Sequence, residues 1–287
     1  MRWDRRQCND PYIIASDSPR KFTTLFFNNK KAIPKRCLIL TLYVFVRRIS
    51  TLFTSRFRKG LVYFMIYIAP SLLAADYAHL ASDIKRVDEA GAQYLHLDIM
   101  DGAFVPNISF GPDLIAGIRK CTDMIFDVHL MIKRPERYID RFVKAGADII
   151  TVHYEACENP MSVIHLIHSY EMKACLAVSP KTPVEHLFPF VGHIDMALIM
   201  TVEPGFGGQS LIPETLDKVS TLRRYAAERG VNLDIEVDGG INAQNIGLLT
   251  SAGANVIVAG SAIFKAKRPR AVIQEMKETA ANNPFKG

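Results

Sequence analysis

The 287-residue chain carries 35 Lys and Arg against 29 Asp and Glu, with 49% apolar and 22% charged residues. That apolar content excludes a disordered chain, and five cysteines, sparse and odd in number, exclude a small disulfide scaffold. The +6 net charge suggests a nucleic-acid or membrane partner, but the charge is not spread evenly: residues 1–64 hold 14 basic and three acidic residues, and residues 65–287 are net −5.

Residues 1–64 form a basic, acid-poor extension without a repeat. Its longest apolar run, 38–46, is followed by Arg47 and Arg48 and is far short of the ~20 residues that span a bilayer. The run starts too late for a secretory signal. A transit peptide, a peripheral anchor, a nucleic-acid arm and a disordered leader all remain open for this segment. Regular patterning begins at Met65, so the functional chain is expected to start at or near that residue.

From there, β-type apolar runs alternate with amphipathic stretches. Strands are expected at 62–69, 94–99, 124–130, 149–153, 173–178, 195–200, 233–237 and 256–259. Helices are expected between them, such as 77–90, 135–145, 214–229 and 243–252. Pro112, Pro135, Pro183 and Pro213 mark helix starts, and Gly91, Gly146, Gly230 and Gly253 mark helix ends. Eight βα units in one continuous region predict an α/β fold, a TIM (β/α)8 barrel over residues 65–287. A doubly wound sheet is the weaker alternative, because Pro70-Ser71-Leu72, not a glycine fingerprint, follows the first strand.

Barrel chemistry sits at the carboxyl ends of the strands. The second run ends His96-Leu97-Asp98-Ile99-Met100-Asp101-Gly102, the third Asp127-Val128-His129-Leu130-Met131, and the seventh Glu236-Val237-Asp238-Gly239-Gly240. Alternation places His96, Asp98 and Met100 on one face, and His129 and Met131 on one face. His96, Asp98, His129 and Asp238 thus put ionisable groups where a packed barrel wants apolar ones. They fit a divalent-metal site, a buried hydrogen-bond network, or an acid–base pair without metal. Two carboxylates on distant strands also fit inversion of a stereocentre beside a carbonyl, one taking a proton and the other returning it to the opposite face. Asp101 has the other parity and reads as a turn residue.

Glycine clusters at Gly205, Gly207 and Gly208 around Phe206, at Gly239 and Gly240, and at Gly260 before Ser261 suit a phosphate. The 205–208 loop is placed to close over a ligand. Met100, Met131 and Met200 serve either as gap-filling core or as a proton-free lining. Ser71 either bonds a substrate hydroxyl or caps a helix. His153 is a weaker candidate. His79, His165, His168, His186 and His193 read as surface groups, and Cys8, Cys37, Cys121, Cys157 and Cys175 as reduced thiols.

These motifs, with Ile68-Ala69-Pro70-Ser71, Phe104-Val105-Pro106-Asn107 and Glu203-Pro204-Gly205-Phe206-Gly207-Gly208-Gln209, closely resemble the ribulose-phosphate 3-epimerase family over about residues 65–283. The resemblance implies a cytoplasmic TIM-barrel enzyme of the pentose phosphate pathway, interconverting D-ribulose 5-phosphate and D-xylulose 5-phosphate. It implies one divalent cation, zinc, iron, manganese or cobalt, on His96, Asp98, His129 and Asp238. It implies Asp98 as proton acceptor and Asp238 as donor. It implies Ser71 and His129 near the substrate, with Gly205, Phe206, Gly207, Gly208, Gly239, Gly240, Gly260 and Ser261 around the phosphate end. It implies a small phosphorylated ketose as the partner, a homo-oligomer, no nucleic acid and no stable membrane insertion. A six-carbon ketose phosphate is the alternative substrate. A decarboxylating lyase would be expected to carry an Asp-x-Lys-x-x-Asp pattern, which His-Leu-Asp-Ile-Met-Asp lacks. The 64-residue extension departs from the family.

Overall fold

In a computed structural model of the chain, residues 65–286 are described. The expectations for residues 1–64, including Cys8, Cys37 and the start of the first strand at 62, lie outside them.

Eight parallel strands are present: β1 (Tyr67–Pro70), β2 (Tyr94–Met100), β3 (Ile125–Met131), β4 (Ile149–His153), β5 (Lys173–Val178), β6 (Met196–Met200), β7 (Asp234–Asp238) and β8 (Val256–Ala259). Each pairs with its sequence neighbour from β2 to β8, and β8 pairs with β1. A bridge between Ser71 and His96 brings β1 to β2 and closes the ring. This is the expected (β/α)8 barrel. The helices are α1 (Leu80–Glu89), α2 (Pro112–Ile118), α3 (Ile139–Lys144), α4 (Pro160–Ser169), α5 (Thr215–Glu228), α6 (Ile246–Ala252), α7 (Ser261–Phe264) and α8 (Pro269–Asn282).

Several expected boundaries shift, each for a local reason. The first strand begins at Tyr67, whose N–H bonds the Asn255 carbonyl where the ladder to β8 starts. The stretch 77–90 divides into a 3-10 turn capped by Asp76, which accepts from the Ala78 N–H, and then α1. The stretch 135–145 breaks at Tyr138, whose backbone (φ −120°, ψ −10°) is not helical, so α3 is only six residues long. The stretch 243–252 opens as a turn in which Asn242 Oδ1 accepts from the Gln244 and Asn245 N–H groups, and α6 starts at Ile246. An apolar period does not report such caps.

The strands separate two apolar layers. Residues such as Leu95, Leu97, Phe126, Val128 and Ile235 face the helices, while Tyr94, Ile149, Cys175, Met196, Leu198 and Val256 fill the barrel interior. Tyr67 and Tyr94 pack at 5.2 Å between centroids near the amino ends of their strands. Because side chains alternate, each inward row that starts apolar at this end can finish with chemistry at the other. On β2 the row runs Tyr94, His96, Asp98, Met100, and on β7 it runs Asp234, Glu236, Asp238. The four glycines expected to end helices all hold positive φ. At Gly253 (φ +116°) the requirement is also steric, since a Cβ would lie 2.7 Å from the Arg223 side chain.

Candidate active site

The carboxyl ends of the strands surround a cavity of about 1080 Å³. Ser71, Asp98, Met100, Met131, Met200 and Asp238 form its floor with the glycine loops at its rim. His96 and His129 are fully buried just beneath.

Four ligand-type atoms converge. His96 Nε2 lies 3.3 Å from Asp98 Oδ1, 3.3 Å from His129 Nδ1 and 3.9 Å from Asp238 Oδ2. His129 Nδ1 lies 3.2 Å from Asp98 Oδ1. A cation with metal–ligand bonds of about 2.1 Å holds adjacent ligands roughly 3 to 3.5 Å apart, which matches most of these spacings. The four expected residues therefore come together as a donor set that fits a divalent cation.

Support behind His96 was not singled out from the sequence. Its Nδ1–H donates to Asp127 Oδ2 at 2.7 Å, which turns Nε2 toward the cavity. Glu236, fully buried, lies beside the same nitrogen at 3.4 Å, and neither of its oxygens has a donor from elsewhere. Burial and the Asp127 charge push Glu236 well above the usual carboxylate range, so it keeps its proton and shares it with Asp127. This lower trio braces His96 and leaves the upper cluster to face the cavity. Parity could have found both residues: Asp127 is two before His129 and Glu236 two before Asp238.

The electrostatics divide the two catalytic candidates. Burial alone would raise Asp98, but His96 and hydrogen bonds from both histidines hold it well below its ordinary value. Burial, with the charges of Asp98 and Asp127 adding to it and His96 opposing it, raises Asp238 to about 7. One carboxylate is thus ionised while the other retains a proton near neutrality, the arrangement of an acid and a base on one ligand. Burial opposes a charge on His96, yet Asp98 and Asp127 outweigh it and hold the imidazole well above its usual value. A cation held by this set would take the place of that proton.

The capping reading of Ser71 is not met. Its Oγ donates to Asp98 Oδ2 at 2.6 Å and makes no cap bond to the 3-10 turn Leu72–Ala74. Asp101 is a turn residue, as expected: its carboxylate accepts from the N–H groups of Ala103, Phe104 and Lys133, joining the loops after β2 and β3. Asn107 Nδ2 donates to the Gly205 carbonyl at 2.9 Å, which joins the β2 and β6 loops at the rim. Phe206, 53% exposed, projects from the second of these. The five histidines read as surface groups are exposed. His153 is not peripheral: it is fully buried, 2.9 Å from His129 through their Nε2 atoms.

Gly205, Gly207, Gly208, Gly239, Gly240, Gly260 and Ser261 all line the cavity. Gly240 (φ +69°) is the most constrained, because a Cβ there would stand 2.4 Å from the Leu211 amide nitrogen and 2.8 Å from the Gln209 carbonyl oxygen. Gly240→Ala must displace the 205–211 loop or the end of β7. We expect kcat/KM to fall on the order of 100-fold, as for an ångström-scale misplacement near the chemistry. Parental steady-state kinetics would contradict the assigned packing.

The model of the ribulose-phosphate 3 epimerase family matches residues 67–264. The chain belongs to that family. The ribulose-phosphate 3-epimerase of Bacillus subtilis is 46% identical over 214 residues, covering 74% of this chain and 99% of its own. A chloroplastic ribulose-5-phosphate-3-epimerase of Arabidopsis thaliana is 45% identical over 218 residues, covering 74% of this chain and 76% of its own. The solved orotidine 5′-phosphate decarboxylase of Pyrococcus horikoshii aligns with a TM-score of 0.55 over 75% of this chain and 99% of its own, at 16% identity, a likeness of fold alone. Membership in the ribulose-phosphate 3-epimerase family makes the chain an isomerase that epimerises pentose phosphates, within carbohydrate metabolism.

His153 also bears on pH stability. Burial pulls its pKa down to about 4, against the pull of Glu155 and with help from His129. An unfolded histidine titrates near 6.5, so the unfolded chain gains a proton there that the folded chain refuses. The stability from a neutral His153 is complete above about 6.5 and is lost as pH falls to about 4. The loss amounts to about 3 kcal/mol, at up to ~1.4 kcal/mol per pH unit. Urea midpoints of chelator-treated protein should therefore fall across this window, and those of His153→Asn should fall less. Parallel curves would refute the assignment.

Proposed function

We propose that the enzyme inverts C3 of D-ribulose 5-phosphate to form D-xylulose 5-phosphate, with Asp98 as base and Asp238 as acid. The carrying observation is that two buried carboxylates reach one cavity from β2 and β7, Asp98 held low by His96 and Asp238 raised by burial. Asp98 takes the C3 proton, and the C–H electrons move into the C2–C3 bond as the carbonyl pair moves onto oxygen, giving an enediolate. Asp238 delivers its proton to the opposite face of C3, and the roles exchange in reverse. His96, Asp98, His129 and Asp238 would hold one divalent cation, zinc, iron, manganese or cobalt, whose charge stabilises the enediolate oxygens. Ser71 orients Asp98 and stands within reach of a substrate hydroxyl. Met100, Met131 and Met200 cover the intermediate with atoms that carry no exchangeable proton. The glycine edges at 205–208, 239–240 and 260–261 take the phosphate, as late-strand loops of such barrels do.

The test is turnover of ribulose 5-phosphate in D2O. Xylulose 5-phosphate should form with deuterium at C3. Product formed without solvent deuterium, or no product with any of the four cations, would overturn the mechanism.

We further propose a 65–287 epimerase domain preceded by a basic 1–64 extension, a cytoplasmic homo-oligomer, and no nucleic-acid partner. No helix among the described residues is long and apolar enough to cross a membrane. The chloroplastic relative keeps organellar targeting as the alternative location. Sedimentation and mass spectrometry of the native N-terminus test the assembly and the extension.

A further inference from the structure

The phosphate end of the cavity carries a charge imbalance that the glycine edges do not correct. A sugar phosphate brings nearly two negative charges near neutral pH. The barrel body that it approaches, residues 65–287, is net −5. Among the described residues, the carboxylates of Asp98, Glu203, Asp238 and Glu275 line the cavity, and Lys265 is the one cationic side chain that lines it. Backbone N–H groups at 239–240 and 260–261 offer neutral dipoles, and α7, a single turn, has little macrodipole to add. The cation proposed for the floor answers the enediolate oxygens, away from the phosphate.

Lys265 is placed to meet the dianion. Its N–H donates to the Ser261 carbonyl at 3.1 Å, so the two residues stand one helical turn apart and share a face. Ser261 and Gly260 belong to the edge assigned to the phosphate. The backbone on both sides of Lys265 is held from α1: Arg86 donates through Nη2 to the Phe264 carbonyl at 2.6 Å and through Nη1 to the Ala266 carbonyl at 3.4 Å. The ammonium itself is uncommitted. Lys265 is exposed and forms no ion pair with a described residue, Glu275 included. Arg86 is engaged with Asp83 at 3.0 Å, and Glu203 with Lys181 at 2.9 Å. A fixed backbone that carries a free ammonium on a flexible four-carbon stem suits a ligand that brings its own anion.

We propose that Lys265 is a specificity-determining residue whose ammonium supplies the countercharge to the substrate phosphate, and so favours doubly charged sugar phosphates over neutral sugars. The role rests on the phosphate placement made above. The phosphate charge does not change as C3 is inverted, so the contact stabilises bound substrate and transition state alike, and its loss falls on KM.

Lys265→Met keeps an unbranched apolar stem and removes the charge. Its KM for ribulose 5-phosphate should rise on the order of 10-fold with kcat within about twofold, as expected for one charge facing a dianion at an exposed site. Inorganic phosphate should bind it more weakly by a similar factor in isothermal titration, which needs no turnover. Lys265→Arg should keep the parental affinity. Lys267→Met is the control, because Lys267 is exposed but does not line the cavity, and it should leave phosphate binding unchanged. Raising ionic strength should weaken phosphate binding to the parent more than to Lys265→Met, whereas a role confined to the packing of the stem would leave the two salt dependences equal. Equal phosphate affinity in the parent and Lys265→Met overturns the proposal, as does an equal loss in Lys267→Met, the mark of a diffuse field and not of a contact. A parent that binds no phosphate overturns it together with the phosphate placement. Weaker phosphate binding by Lys265→Met in a protein that does not epimerise ribulose 5-phosphate supports the countercharge and refutes the pentulose assignment instead.

Discussion

Asp238→Asn is expected to lower the epimerisation rate by about 10³- to 10⁴-fold while deuterium still enters C3 of the substrate. Removing a positioned general acid forfeits roughly 10²- to 10⁴-fold, and the upper end applies because Asn can neither release a proton nor hold a cation as an anion does. The partner base survives: Asp98 keeps Ser71 at 2.6 Å and His129 at 3.2 Å, so it still lifts the C3 proton and returns solvent deuterium to the same face. Exchange without inversion is therefore the signature of two-sided chemistry. The fold should be unaffected, since at this position the barrel uses the backbone carbonyl, which accepts from the Thr201 N–H at 2.8 Å. The reciprocal change, Asp98→Asn, should lose exchange and inversion together from this substrate. An Asp238→Asn enzyme that epimerises at the parental rate would end the assignment. One that loses exchange in step with inversion would place both carboxylates on the same proton.

The barrel was legible because its signal is redundant. Eight apolar runs, four glycine stops and four prolines read as helix starts all point to the same alternation, so a two-residue error in any of them changes nothing. The upper cluster was legible for a related reason: His96, Asp98, His129 and Asp238 interrupt runs that packing alone would fill with aliphatic residues. What escaped depends on cross-strand register. Asp127 and Glu236 stand inside motifs read for their neighbours, and nothing local shows that β3 and β7 bring them to the same histidine. His153 looked like the polar end of a strand, and only the stacking of β4 against β3 reveals that it touches His129. Glu155 lies beyond β4, and its partners Ser179 and Thr182 come from the loop after β5. Helix period also hides Arg223. In Thr221-Leu222-Arg223-Arg224-Tyr225 it reads as a solvated face, yet it is 2% exposed.

Arg223→Ala is expected to lower unfolding stability by about 4 kcal/mol without changing turnover per folded molecule. The guanidinium lies at the amino ends of β7 and β8, opposite the active site. Nε donates to the Gly253 carbonyl at 2.9 Å, Nη1 to the Leu233 carbonyl at 2.5 Å and Nη2 to Asn255 Oδ1 at 3.0 Å. Asn255 carries the connection onward, accepting from the Ile235 N–H at 2.8 Å and, through its backbone carbonyl, from the Tyr67 N–H at 2.9 Å. One side chain from α5 thus joins β7, β8 and β1 where the barrel closes. Truncation leaves the Gly253 and Leu233 carbonyls without this donor, and each buried unsatisfied group costs about 1–3 kcal/mol, to which lost packing adds. Asn255 Oδ1 keeps its bond from Ile235 and adds less. Arg223→Met separates the two contributions, because it restores much of the volume but no donors. It should recover about 1 kcal/mol of the loss, no more than the packing share. Urea midpoints at constant m-value measure both variants. A loss below about 1 kcal/mol for Arg223→Ala, within the range of an ordinary surface substitution, would show that water or a shifted neighbour satisfies the two carbonyls. Full rescue by Met would show that the buried guanidinium acts by filling space.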